Sequence, residues 1–191
     1  LRARRQMTEL RARDLRFTAE EANALFGLAN LSLAEKGLRA LDERTEGWVA
    51  GLQLAALALQ HQPDPAAFIE TFRGSHRYVL DYLAGEVLYQ QGEEIRVFLT
   101  QTSPLDRFNA ELCNALTGRE DAQSIIARLE QSNLFIIPLD DERRWYRYHH
   151  LFADYLRSLL SRPEQASLYQ KAAAWHENVK PPADMVLHLL R

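Results

Sequence analysis

The sequence predicts a mainly α-helical chain: a small helical domain, then a winged-helix domain with one β-hairpin, then the first helices of a repeat array. Three observations carry this. Apolar residues recur at three and four positions through most of the 191 residues, between helix-capping signals. One stretch breaks that rhythm, since Leu134-Phe135-Ile136-Ile137-Pro138-Leu139 and Trp145-Tyr146-Arg147-Tyr148 read as strands joined by the polar link Asp140-Asp141-Glu142-Arg143. Directly after it, Leu151, Phe152, Tyr155, Leu156, Leu159 and Leu160 form one apolar stripe, so the hairpin closes onto a helix.

The length suits one large domain or two small ones. A hydrophobic fraction of 47% is ordinary for a globular chain, and a net charge of −3 gives no bulk attraction to nucleic acid or an anionic membrane. No apolar run approaches the roughly 20 residues that span a bilayer. Cys113 is the only cysteine; it excludes an internal disulfide, fits a reducing, cytoplasmic setting and reads as a small buried apolar residue. The basic N-terminus has no apolar core and is not a secretion signal. With no initiator Met, the chain is expected to be a piece of something longer.

Residues 1–17 carry six arginines against Glu9 and Asp14. Met7–Leu10 and Asp14–Phe17 are expected to be short extended pieces, the tail of a sheet that is missing. Their arginines form either a solvated face or a basic patch near a phosphate-bearing ligand. Thr18-Ala19-Glu20-Glu21 is a capping box that opens a helix with Ala22, Leu25, Phe26 and Ala29 on its apolar side. Ser32-Leu33-Ala34-Glu35 repeats the signal for a second helix, through Leu38 and Leu41 to about Thr45. A third, Trp48 to Leu59, is apolar nearly all round and should be buried on most sides. Gly51 on it would let another backbone or a flat ligand approach.

His61-Gln62-Pro63-Asp64-Pro65 is a loop and the expected boundary. The helical domain therefore takes residues 18–61, and the winged-helix domain with its leading helices takes 62–162. Helices are expected at about 65–72, 76–90 and 92–102, with Ser75 capping the middle one. A short helix follows through Leu112 and Leu116, then another from Asp121 through Ile125, Ile126 and Leu129. Past the hairpin and its helix, Ala166 to about Val179 presents Leu168, Ala172 and Trp175. Pro181-Pro182 breaks this helix, and Ala183–Leu190 is helical again. Residues 163–191 thus read as the first pair of a helical array, which cannot bury its face alone.

No phosphate loop, dinucleotide loop or nucleophile elbow is present, so no catalytic residue is assigned. His149 and His150 are adjacent and would point about a hundred degrees apart on a helix, so no metal site is expected either. A histidine at a helix N-terminus does suit an anion, because backbone N–H groups there favour negative charge. His149 or His150 is thus either a capping or core residue or a sensor of a nucleotide phosphate held by a neighbouring domain. A DNA-reading winged helix is the alternative, but its charge is unfavourable. Residues 103–160 carry seven Arg, no Lys and nine Asp or Glu, and the expected recognition helix holds one arginine, Arg128. A plain helical interaction scaffold is the third reading.

The ordered segments RARRQMTELRARDLRFTAEEA, RTEGWVAGLQLAALAL, FLTQTSPLDRFNAELCNALTG and LFIIPLDDERRWYRYHHLFADYLR resemble the large MalT-like regulators of the LuxR superfamily, which are similar to STAND-class ATPases. The resemblance runs over nearly the whole chain. It implies an upstream P-loop domain ending at residues 1–17, a helical domain, the winged helix, TPR-like repeats that sense an inducer, and a downstream LuxR-type DNA reader. ATP or ADP with Mg would belong to the full-length protein, a slow regulatory ATPase, and not to this segment alone. Partners would be the flanking domains of the same polypeptide and, on activation, further copies. DNA would be bound only through the absent reader, and no membrane is involved. Gly51-Leu52-Gln53-Leu54-Ala55 resembles the GLPLA segment near the adenine, with Gln53 in place of proline, which makes Trp48, Gly51 and Gln53 candidate nucleotide contacts. His149 or His150 stands where relatives touch the ADP β-phosphate.

Overall fold

The computed structural model describes residues 12–60 and 62–178. It is mainly helical, with one two-stranded antiparallel sheet. Two compact units, Leu1–Asp81 and Tyr82–Arg191, divide the chain.

In the first unit, α1 (Ala19–Leu28) opens with the expected capping box: the Glu21 amide donates to Thr18 Oγ1 at 3.3 Å and the Thr18 amide to Glu21 Oε2 at 2.9 Å. Then α2 (Glu35–Thr45) starts two residues later than a Ser32 cap would place it. The chain leaves α1 through Asn30 in the left-handed region (φ 59°) and is still extended at Ala34, which becomes the cap with no side-chain bond. Trp48 caps α3 (Val49–Leu59), and Asp64 caps α4 (Pro65–Thr71) by accepting the Ala66 and Ala67 amides at 3.0 Å each. Helix α2 packs against α1, α3 and α4. Phe26, Leu41, Leu52, Ala55 and Phe72 are sealed in the core. The 61–65 loop joins α3 to α4 within this unit.

Two expectations in this unit change. Asp14-Leu15 lies in a 3-10 turn (Ala12–Leu15) rather than a strand; Met7–Leu10 falls outside the described residues. Only Phe17 makes a sheet-like contact, its amide donating to the Gly47 carbonyl at 2.9 Å. Ser75 sits in a turn and α5 begins at Arg77, with the Leu80 amide bonding back to the His76 carbonyl at 2.8 Å. Helix α3 is buried on most sides, as expected, and Gln53, Leu57 and Gln60 form its one exposed edge. Its apolar content exceeds what its neighbours cover.

The predicted 76–90 helix is α5 (Arg77–Tyr82) followed by a π-helical stretch, Leu83–Leu88, where the Tyr89 amide bonds five residues back to Ala84 at 2.9 Å. In the second unit, α6 (Glu93–Thr102), α7 (Ala110–Thr117) and α8 (Ala122–Gln131) precede β1 (Ile136–Pro138) and β2 (Tyr146–Tyr148), with register Ile136 to Tyr148 and Pro138 to Tyr146. Helix α9 (His150–Ser158) closes the hairpin, and α10 (Arg162–Asn178) packs on α7 through buried Leu168 and Ala172. Lys171 Nζ also donates to the Leu116 carbonyl at 3.1 Å. The face expected to await a repeat partner is thus used inside this unit; the predicted break at Pro181 and helix 183–190 fall outside the described residues.

The order of three helices, a hairpin and a closing helix is the winged-helix arrangement. Its strand set is wider than predicted. Phe108 bridges Tyr146 in antiparallel fashion, each amide donating to the other's carbonyl at 2.8 Å. The apolar stripe of α9 ends at Leu156, because Leu159 is 48% exposed.

Candidate functional site

The candidate residues fall in both units. Trp48, Gly51 and Gln53 belong to the first, His149 and His150 to the second. Each group is described within its own unit.

Trp48 is half-buried at the start of α3, its amide bonded to the Thr45 carbonyl at 2.8 Å and its carbonyl accepting from Leu52 at 3.0 Å. Gly51 is buried and lies one turn further along the same side. Gln53 is exposed, two residues from Gly51 and so on nearly the opposite side of the helix. It lines an open groove of about 350 Å³ with Leu25, Leu28, Ala29, Ala56, Leu57 and Gln60. Gln60 Nε2 reaches the Ala29 carbonyl across one end, at 3.5 Å.

A close backbone approach does occur beside this helix, at Gly47. Gly47 has φ +69°, and a Cβ there would sit 2.6 Å from the Phe17 carbonyl oxygen. The chain entering the unit at Arg16-Phe17 is therefore held against the start of α3.

In the second unit His149 is 5% exposed and is the cap of α9. Its amide donates to the Phe135 carbonyl at 2.8 Å, and its Nδ1 accepts from the Leu151 amide at 3.3 Å. Phe135 has φ +53° and stands edge-on to the imidazole, with ring centroids 5.8 Å apart. An Nδ1 that accepts carries no proton, so the neutral ring has its N–H on Nε2. His150 is the first helical residue and is exposed. The two histidines are thus split: one is a buried cap, the other lies on the surface. The donor on Nε2 is the chemistry that an anionic phosphate oxygen requires.

Around His149 the site is rigid. Tyr148 is fully buried and its hydroxyl is 2.7 Å from Thr102 Oγ1, which donates to the Phe98 carbonyl at 2.8 Å. The Tyr148 hydroxyl is therefore the donor to Thr102. Burial pushes the Tyr148 phenol and the Cys113 thiol well above their ordinary values, so both stay protonated. Cys113 is fully buried and unreactive, as its sequence reading required. Phe108 packs on Tyr148 at 4.7 Å, and Phe152 on Phe135 at 5.1 Å. Nothing in the spacing of Thr102 or Phe108 marks them as partners of Tyr148, because the contacts join residues dozens of positions apart.

Helix α8, where a DNA-reading winged helix carries its recognition residues, is tied down by acids. Asp121 does not cap it. Arg119 Nε and Nη2 hold the Asp121 carboxylate at 2.7 Å each, lowering its pKa, and Arg119 also bonds Glu94. Asn114 Oδ1 accepts the Ala122 amide instead, at 3.0 Å. Among the described residues no group of three His, Cys, Asp or Glu is placed to hold a metal, and no helix is long and apolar enough to cross a membrane.

Residues 84–168 match the MalT winged helix domain. The HTH-type transcriptional regulator MalT of Vibrio cholerae is 39% identical over 189 residues, which is 95% of this chain and 21% of that protein. MalT of Yersinia pestis is 36% identical over 203 residues, covering all of this chain and 22% of the relative. Serine/threonine-protein kinase PknK of Mycobacterium tuberculosis is 32% identical over 179 residues, 92% of this chain and 16% of the kinase. The chain spans about a fifth of the length of the curated MalT relatives it matches. Residues 84–168 belong to the MalT winged helix domain family, in a chain similar over nearly its whole length to about a fifth of MalT-type transcriptional regulators.

Proposed function

We propose that this chain is the regulatory, nucleotide-switch segment of a transcriptional activator, coupling the ATP or ADP state of an upstream P-loop domain to activation and self-association. The observation that carries this is the protonation geometry of His149. The capping bond to the Leu151 amide leaves the ring proton on Nε2, at the buried N-terminus of α9. Bound ADP would supply the anionic phosphate, and this chain would supply the donor and the helix terminus beneath it. Trp48, Gly51 and Gln53 would attend the adenine side. The relatives support a role in control and not in output. One is named a transcriptional regulator and another a protein kinase, yet both share this segment. A switch of this kind needs the nucleotide to contact its two states differently.

Nucleotide affinity of the full-length protein tests the reading. His149→Asn can keep the cap while removing the imidazole donor, and His150→Ala removes the exposed ring. ADP affinity should drop about tenfold in His149→Asn, roughly the worth of one charge-assisted hydrogen bond, and hold in His150→Ala. Unchanged ADP affinity and unchanged activation in both variants would remove the sensor.

A further inference from the structure

The outer face of the wing sheet holds a guanidinium with one buried amino group, Nη2 of Arg107, that has no acceptor among the described residues. Strand alternation turns Tyr146 and Tyr148 inward, where they are 3% and 2% exposed. Trp145 and Arg147 alternate with them and are half-buried. The bridge from Phe108 to Tyr146 sets the preceding residue, Arg107, beside this face. Its guanidinium carbon lies 5.2 Å from the centre of the Trp145 ring. Arg107 Nη2 is buried and has no hydrogen-bond partner.

Four arginines of the same unit are matched by acids. Arg119 takes Glu94 and Asp121, and Arg143 takes Glu130 at 2.8 Å. Arg144 takes Glu142 at 2.8 Å, and Arg157 takes Asp106 at 3.2 Å. A guanidinium cannot shed its proton to escape an unfavourable setting. Leaving one of its amino groups buried without an acceptor costs stability, and native folds rarely do so without a reason. Asp140, an acid of the hairpin link, already accepts the Arg144 and Trp145 amides at 2.9 Å each.

We propose that Arg107, parked on Trp145, is an oxyanion-binding residue on the outer face of the wing sheet, taking a carboxylate or phosphate group brought from outside this chain. The ring holds the guanidinium in place while no anion is present. Rotation of the side chain brings Nη2 out to an acceptor, where a forked guanidinium binds a planar or tetrahedral oxyanion through two N–H groups. This site is independent of the nucleotide reading of His149, which lies at the other end of β2.

The test uses the full chain and two probes, sodium phosphate and sodium acetate, at fixed ionic strength. The indole N–H resonance of Trp145, assigned by its loss in Trp145→Phe, reports on the site. It should shift saturably in the wild type and not in Arg107→Met, with Arg107→Lys weakened at least tenfold by loss of the fork. Saturation by phosphate alone assigns a phosphate-bearing ligand; saturation by acetate alone, a carboxylate; saturation by both, a general oxyanion site. Arg107→Met should melt no lower than the wild type in chloride, because it removes an unsatisfied buried group. Absence of an Arg107-dependent saturable shift overturns the proposal. So does an Arg107→Met chain that melts far below the wild type, since the arginine would then be structural.

Discussion

Arg44 illustrates what a single side chain does at long range. Its Nη1 donates to the Ile69 carbonyl and, at 2.8 Å, to the Phe72 carbonyl; its Nη2 donates to the Glu70 carbonyl at 2.8 Å. Those carbonyls lie at the end of α4, where helical geometry leaves acceptors without partners. In the sequence Arg44 looks like one more charged residue in the last turn of α2. Replacing it with alanine should lower the unfolding free energy of the first unit by about 2 kcal/mol, the scale for hydrogen bonds from a charged donor. Arg44→Lys should recover only part of that loss, because an ammonium cannot fork across three carbonyls. Denaturant unfolding of the two variants measures both effects. The contrast with Thr18 is instructive: its partner is three residues away, so the capping box could be read directly and is present.

At the scale of an element, the wing shows how little of a hairpin's geometry depends on its strands. Only three residues pair on each side. The turn is held by Asp140, whose carboxylate accepts the Arg144 and Trp145 amides at 2.9 Å each. The Arg144 amide, first among these contacts, holds the Asp140 carboxyl below its ordinary value of 3.8. A carboxyl that is more acidic in the fold than in the unfolded chain stabilises fully above its unfolded pKa, and that contribution is lost as pH falls through the folded value. Protection of the Arg144 and Trp145 amides against hydrogen exchange should therefore persist near neutrality and weaken below about pH 3.8. Asp140→Ala should remove it at both pH values. The polar link is legible as a turn in the sequence, but there Asp140 counts only as one of the nine acids over residues 103–160. Only the folded backbone shows that Asp140 is used internally.

Across the whole molecule, charge sets the expectation for nucleic acid. The chain carries 23 basic and 26 acidic residues, and two exposed arginines of the wing, Arg143 and Arg144, are paired with Glu130 and Glu142. Binding to duplex DNA depends on clustered cations that release counterions, and this makes it steeply salt-dependent. A mobility shift of this chain on duplex DNA should show no complex at about 50 mM or 200 mM salt. A complex at the lower salt that disappears at the higher would instead identify the winged helix as a DNA reader. The candidate nucleotide residues also divide at this scale, with Trp48, Gly51 and Gln53 in one compact unit and the two histidines in the other.

Read alone, the sequence determined the helical class, the hairpin at residues 134–148, the helix that follows it and the capping box at Thr18. Each of these is written in local periodicity or in side chains a few positions apart. It also marked His149 as a helix-terminal residue for the same reason. Tertiary structure decided that Phe108 joins the wing, that Gly47 receives a neighbouring backbone, and that the Asn114 side chain rather than that of Asp121 accepts the first amide of α8. It also decided that Nη2 of Arg107 is buried without an acceptor among the described residues. Those outcomes are contests between distant groups for the same hydrogen bond or the same space, and a linear pattern holds no record of which group arrives.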